Sequence, residues 1–326
     1  MNITPLSQLF TIRQKDSSLT NRHGFLIGNQ GESKPFLMES EISHILKNTE
    51  DRVIIIDTFY NNADFSRVTI NQLEGQLINI NSYSNISLDL FCNNHSHDYF
   101  DKSFSLDQLK GEKTDLLITI QESIVSSNAE ITAQMKSELY RIISLLYEDS
   151  DHPTIEALLL NLKESEADFS VLVHLLETTS IFHGPANIDL ENRFIVFNIA
   201  QFHNTNTFLF PVLEYIKAAI SKSSQRTWIY FCDADTLFHP DLTNSNRYIS
   251  DFWRRARMRN IVCTGIIPAT ISSEHIDRLL YNADCFYILN PSKNHVWCER
   301  LYMNPEPFAQ LAYLFGDKDG AIPYLR

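Results

Sequence analysis

Short continuous apolar runs alternate with helically spaced apolar positions along most of this chain. Phe25-Leu26-Ile27 is a buried strand, and Phe36 to Leu46 has the spacing of a helix. Arg52-Val53-Ile54-Ile55-Ile56-Asp57 is uninterrupted apolar sequence ending in an acid, the pattern of a strand covered on both faces. Gln76 to Ile80 is a further strand. Asn, Ser and His then dominate from about Asn81 to Ser103 without periodicity, which predicts loop. From Leu106 to about Ser180 the spacing is helical, as in Leu139, Ile142, Ile143, Leu145 and Leu146. His152-Pro153-Thr154 interrupts it and starts a new helix. Strands return at Arg193–Ile199, Thr227–Cys232, Ile261–Ile267 and Cys285–Leu289. Helices are predicted at Phe208–Ser221, Asp251–Met258 and Glu274–Leu280, with Gly320–Tyr324 closing the sheet.

Strands separated by helices predict an α/β fold with a mostly parallel, doubly wound sheet. The helical block is expected to be an inserted α-helical subdomain. The boundaries that follow are a lead-in over 1–21, an α/β domain built from 22–103 and 181–326, and a helical insertion over 104–180. With 326 residues, the chain can bury a large core in one or two domains.

Composition narrows the function. At 44% hydrophobic and 21% charged the chain is of the globular class, and its apolar runs are too short to cross a bilayer. MNITPLSQLFTIRQKDSS lacks a charged start followed by an apolar core, so a cytoplasmic location is expected. The net charge of −13 disfavours direct nucleic-acid binding, although Arg254, Arg255, Arg257 and Arg259 form a local basic stripe. Protein partners are the better expectation. Cys92, Cys232, Cys263, Cys285 and Cys298 have no metal-ligand spacing, and three lie in or beside strand-like runs as reduced thiols would. His95 and His97 lack a third ligand, so no metal site is expected.

Candidate chemistry centres on Gly28-Asn29-Gln30-Gly31-Glu32-Ser33-Lys34-Pro35, set between a strand and a helix. A phosphate-binding loop needs Gly, four residues, Gly, Lys, then Ser or Thr. Gly28 and Lys34 are in place. Ser33 stands at the second Gly position and crowds the approach of an anion to the backbone. Pro35 removes an N–H donor and the hydroxyl that would hold Mg²⁺. On these residues alone, a plain strand–turn–helix junction is the better description. A second candidate is TWIYFCDAD, Thr227 to Asp235. An apolar strand ending in Asp and then Glu would hold a metal and activate water, but here Cys232 and Asp233 take those positions. A thiol suits a hard cation poorly. A shift of one residue would make Asp233 the metal residue with Asp235 nearby, and a solvated acidic turn is the alternative. The helix DFWRRARMR offers Arg255 as an arginine finger, or simply places basic residues against the negative end of a helix.

Taken together these segments resemble the C-terminal motor domain of the VirB-type ATPases of conjugation and type IV secretion, the TraC/TraG-like P-loop group. The resemblance runs from about Arg22 to the end through RHGFLIGNQGESKPFLMESEI, LKNTEDRVIIIDTFY and GQLINI. It continues through GPANIDLENRFIVFNI, TWIYFCDAD, DFWRRARMRNIVCTGI and LLYNADCFYILN. It implies a RecA-like P-loop NTPase fold with a helical insertion and, in the family, a ring of subunits that hydrolyse ATP. Gly28, Gly31, Ser33 and Lys34 then fall on a vestigial phosphate loop. Asp57 closes the next strand, Cys232-Asp233 fall on the metal and catalytic acids, and Pro268 stands where the family has a Gln that senses the γ-phosphate. Against this resemblance, the family's usual N-terminal half is expected to be missing ahead of the loop.

Ser33, Pro35, Cys232 and Pro268 each replace a group with a distinct task, while the scaffold segments persist. This predicts a pseudo-ATPase of a conjugative element or secretion apparatus, with no catalytic residues beyond vestigial Asp233 and Arg255. No cofactor is expected; ATP and Mg²⁺ would be needed only by an active site. Its partners would be proteins, an active homologous ATPase or channel components among them, in a homo- or hetero-oligomer at the inner face of the membrane. The competing readings are a weak but genuine ATPase using Lys34 and Asp233, and a decayed fragment.

Overall fold

The computed structural model describes residues 13, 22–29, 34–58, 67–81, 85–91, 106–125, 131–184, 186–199, 205–220, 224–237, 242–270, 282–289, 297 and 321–325. Chain order is β1 (Gly24–Ile27), α1 (Lys34–Asn48), β2 (Arg52–Asp57), α2 (Arg67–Gln72), β3 (Gln76–Asn79), α3 (Leu106–Val125), α4 (Ala133–Asp149), α5 (Ile155–Glu164), α6 (Ser170–Thr178) and β4 (Phe194–Asn198). It continues with α7 (Thr205–Ile220), β5 (Thr227–Phe231), α8 (Thr243–Ala256), β6 (Ile261–Ile267), β7 (Cys285–Leu289) and β8 (Ala321–Leu325). The strands form one sheet in the order β3-β4-β2-β5-β6-β1-β7-β8. The first seven of these positions pair in parallel, and β8 closes the edge antiparallel to β7. The α/β expectation is met. The helix predicted over Glu274–Leu280 lies outside the described residues.

Alternation along the strands sorts the core onto two faces. Phe25, Ile27, Ile54, Ile56, Ile195, Phe197, Ile229, Phe231, Phe286 and Ile288 share one apolar cluster with the helices from α3 to α8. Leu26, Val53, Ile55, Trp228, Tyr230, Val262, Ile266 and Tyr287 face the other way, against Leu37, Met38, Ile42 and Ile45 of α1. Both faces are therefore covered, which is why β2 and β5 need apolar residues throughout. Helices α3 to α6 enter the chain between β3 and β4, and α3 packs directly on α7 and α8.

Two helices depart from the sequence pattern for identifiable reasons. Helix α7 begins three residues early and carries Pro211 in its interior. The lost backbone bond is offset by the complete burial of Leu209, Phe210, Val212, Leu213 and Ile216. Helix α8 starts at Thr243, eight residues before the predicted start, across the polar run Thr243-Asn244-Ser245-Asn246. Such a run suggests a turn, and the residue preceding the helix, Leu242, offers no side-chain cap. Glu122 of α3 replaces it: its carboxylate accepts from the Asn244 N–H at 3.1 Å, the Ser245 N–H at 2.8 Å and the Ser245 hydroxyl at 3.0 Å. A distant acid thus satisfies the orphan donors of the helix start and its positive end. Arg193 acts conversely at the end of α1, donating to the Leu46, Thr49 and Asp51 carbonyls.

Candidate functional site

Parallel pairing brings the ends of β1, β2, β5 and β6 to one edge of the sheet. The Gly28 N–H continues the β1–β6 ladder by donating to the Ile267 carbonyl at 3.2 Å, and the Cys232 N–H continues the β5–β2 ladder onto the Ile56 carbonyl at 3.0 Å. The Thr58 hydroxyl donates to the Cys232 carbonyl at 2.8 Å. Gly28, Asp57, Thr58, Cys232 and Pro268 therefore line the carboxyl edge, where open α/β sheets bind ligands. One strand, β6, separates β1 from β5, a lateral distance of about 10 Å.

Lys34 is the first residue of α1 and Pro35 the second; Pro is tolerated there because the first-turn N–H groups lack helical partners anyway. The Lys34 ammonium turns back and donates to the Gly28 carbonyl at 2.7 Å. The structure thus joins Gly28 and Lys34 within one loop, whereas Gly31 and Ser33 lie outside the described residues.

Across β6, Cys232 is buried against α1, and burial, then the charges of Asp57 and Asp233, push its thiol well above the ordinary range. A neutral, enclosed thiol does not fit the role of a Mg²⁺ ligand. Asp233 turns the chain with a left-handed φ of 51°, a conformation Asp tolerates better than most residues. A tight turn over Ala234–Leu237 follows, held by the Thr236 N–H and hydroxyl on the Asp233 carbonyl at 2.9 and 2.8 Å. Asp235 is part-buried in that turn; burial raises its pKa, and a hydrogen bond from its own backbone N–H, then the charge of Lys34, oppose the rise. Among the described residues no group of three or more His, Cys, Asp or Glu side chains is placed to hold a metal.

Arg255 lies at the opposite edge. Helix α8 leads into the amino end of β6, so the length of that strand, roughly 20 Å, separates Arg255 from Gly28. Its guanidinium pairs with Glu112 of α3 at 2.9 Å, in a pocket of about 100 Å³ lined by α3, α7 and α8. Inside that pocket Lys217 bridges Glu112 and Glu214 at 2.9 and 2.7 Å. Burial would raise the Glu214 pKa, but Lys217 and Lys113 outweigh it and hold it at about 2.

A buried polar network beneath α1 escapes the sequence motifs. Arg13, fully enclosed, donates to both Glu41 oxygens at 2.9 and 3.1 Å, to the Thr264 hydroxyl at 2.7 Å and to the Arg22 carbonyl at 3.0 Å. Tyr230 and Tyr287 donate to the same carboxylate at 2.8 and 3.1 Å. The guanidinium lies over the Trp228 and Tyr287 rings at 5.1 and 5.8 Å from their centroids. A Cβ at Gly24 would come within 2.9 Å of the Arg13 Nη2 and 2.6 Å of the Cys285 carbonyl, so this position needs Gly. One signal was available in advance: Glu41 shares the Leu37, Met38, Ile42, Ile45 stripe of α1, where an acid must find a partner.

The architecture has a counterpart among solved structures. VirB4 of Thermoanaerobacter pseudethanolicus superposes with a TM-score of 0.66 over 93% of this chain and 83% of its own, at 16% identity. The fold is similar to that of VirB4. It is the α/β architecture expected from the strand and helix pattern, with seven parallel strands flanked by helices. The bacterial conjugative coupling protein TrwBdeltaN70, in an unbound form, matches at 14% identity with a TM-score of 0.49, over 87% of this chain and 75% of its own. No family model and no curated protein matches the sequence.

Proposed function

We propose that this protein is a degenerate P-loop ATPase of the VirB type, a pseudo-ATPase that acts in conjugative transfer or type IV secretion through protein contacts. The observation that carries the reading is Cys232: on a fold shared with VirB4, the end of β5 bears an enclosed neutral thiol in place of a metal-binding acid. Pro35 at the start of α1 and Pro268 after β6 add to it, since neither position supplies a hydroxyl or an amide. No step through Mg²⁺ or ATP follows from such a donor set. Gly28, Gly31, Ser33 and Lys34 are the remains of the phosphate loop, Asp233 that of the catalytic acid, and Arg255 that of a finger. Residues 104–180 serve as the inserted helical subdomain, and the protein works at the cytoplasmic side of a secretion complex. No helix among the described residues is long and apolar enough to cross a membrane.

Titration with ATP and Mg²⁺ tests the proposal. The expected result is neither micromolar binding nor hydrolysis. Mg²⁺-dependent micromolar binding that Lys34→Ala abolishes would overturn it in favour of a weak ATPase, the reading that the surviving Gly28–Lys34 pairing favours. The combined variant Ser33→Gly, Pro35→Ser, Cys232→Asp should gain nucleotide binding if only the site has decayed.

A further inference from the structure

Helices α3 and α8 run antiparallel and pair their charges down their length. Glu122 meets Asn244 and Ser245, Asp115 meets Arg247 at 3.7 Å, and Glu112 meets Arg255 at 2.9 Å. Arg247, Asp251, Arg255 and Arg259 recur at every fourth position and all line the pocket between these helices and α7. The ladder runs out at Arg259. One turn before Glu112, α3 carries Gln108 rather than an acid. The carboxylates of the pocket are already engaged: Glu112 by Lys217 and Arg255, Glu214 by Lys217, Asp115 by Arg247, and Asp251 by Arg247 and Arg254. Arg259 has neither a hydrogen bond nor an ion pair among the described residues. Its backbone is nevertheless fixed where the turn Arg257–Arg259 enters β6. Asn260 there adopts a left-handed φ of 56°, and its carbonyl accepts from the Thr227 N–H at 3.1 Å.

We propose that this pocket is a carboxylate-binding site, with Arg259 holding the head of the ligand. A guanidinium donates through a planar fork that matches the two oxygens of a carboxylate. Phe252, Ala256 and Ile261 line the same pocket and offer a short aliphatic stem an apolar wall. At about 100 Å³ the pocket is smaller than the ~150 Å³ cavity that takes up benzene. It therefore admits an acid of only a few carbons, or the end of a glutamate side chain. A dianion such as phosphate would meet Glu112, Asp115, Glu214 and Asp251 in the lining with twice the charge of a carboxylate, and be repelled accordingly. An ammonium head would face Arg259 itself. The site lies at the opposite edge of the sheet from Gly28 and Lys34, so it concerns a ligand other than nucleotide.

Butyrate, exchanged for chloride at constant ionic strength and followed by saturation-transfer NMR, is the probe. The wild type should bind it with a dissociation constant on the order of millimolar. Arg259→Gln should weaken binding on the order of ten-fold. Arg257→Gln removes an exposed arginine outside the pocket and should change binding less than about two-fold. No binding of butyrate at about 50 mM, equal losses in the two variants, or equal binding of butylammonium would each overturn the inference. A blocked glutamate tripeptide separates the two sources of the carboxylate. Tighter binding of the peptide than of butyrate assigns the site to a partner's side chain, and the reverse assigns it to a free acid; both outcomes support a carboxylate site. Circular dichroism melts establish that the variants fold, and Arg259→Met, with the same expectation, replaces Gln if Gln does not. Neither nucleotide nor metal enters the measurement, so it stands or falls separately from the pseudo-ATPase reading.

Discussion

Arg13 meets the middle of α1 and Lys34 opens it, and the protein treats them in opposite ways. Arg13 is fully enclosed, and its guanidinium meets a carboxylate, a hydroxyl, a carbonyl and two aromatic faces. Its burial opposes the charge, but Glu41 together with Tyr287, Cys285 and Tyr230 outweighs that and raises its pKa. Lys34 is only part-buried and turns its ammonium onto the Gly28 carbonyl, while β5 on the far side of β6 ends in an enclosed neutral thiol. The difference separates scaffold from site. Groups that fix how α1 sits on the sheet are fully partnered, while groups where phosphate chemistry would occur are mismatched to that task. Loss of an unconstrained gene's function would be expected to erode both.

The largest expected effect comes from breaking the partnered network. Arg13→Met leaves the Glu41 carboxylate buried beside two tyrosines without its cation, and should cost about 3–5 kcal/mol in urea unfolding. Arg13→Met combined with Glu41→Leu should recover much of that loss, because both charges leave the core together. A loss below about 1 kcal/mol for the single variant would mean that the network does not anchor α1.

Acid sharpens the same contrast through His23, which sits beside this network. Its Nδ1 accepts from the Cys263 N–H at 2.9 Å, and burial, with the Arg13 charge, lowers its pKa to about 3. The unfolded chain takes up that proton near pH 6.5, so it binds more protons than the native state at any pH between there and about 3. Stability contributed by neutral His23 is therefore complete above about pH 6.5 and declines as pH falls, by up to about 1.4 kcal/mol per unit. His23→Gln, whose amide oxygen can still accept from Cys263, should flatten that slope in unfolding curves measured across the window. An unchanged slope would assign the acid sensitivity elsewhere.

Glu122→Ala should cost about 1–3 kcal/mol, since it strands the Asn244 and Ser245 donors at the start of α8. Hydrogen exchange should then quicken in the first turn of α8 before the rest of the helix. Uniform exchange along α8 would argue against the distant cap. The smallest effect is expected at the mismatched end. Lys34→Ala should leave the melting transition within about 0.5 kcal/mol of the wild type, because a part-exposed side chain with a local hydrogen bond adds little to the fold.

The strands were legible because each is an apolar run flanked by turn residues, and a sheet covered on both faces requires that composition. Glu41 was visible only as an oddity on an apolar stripe. Its partner Arg13 was not, since nothing in the intervening residues encodes their meeting. The start of α8 was hidden for the same reason: Thr243-Asn244-Ser245-Asn246 is turn-like until an acid over a hundred residues earlier caps it.

At the candidate site, the sequence by itself determined which residue types are present: Pro35, Cys232 and Pro268 are substitutions that no folding can reverse. Only the tertiary structure decided how they act. Parallel pairing of β1, β6, β5 and β2 put Gly28, Cys232 and Asp57 on one edge, and the turn after β5 packed Ala234 against Gly265. It also carried Arg255 to the far end of β6 and gave it Glu112. Local propensity can specify strands and helices, whereas charge partners depend on strand order, which no single segment of sequence contains.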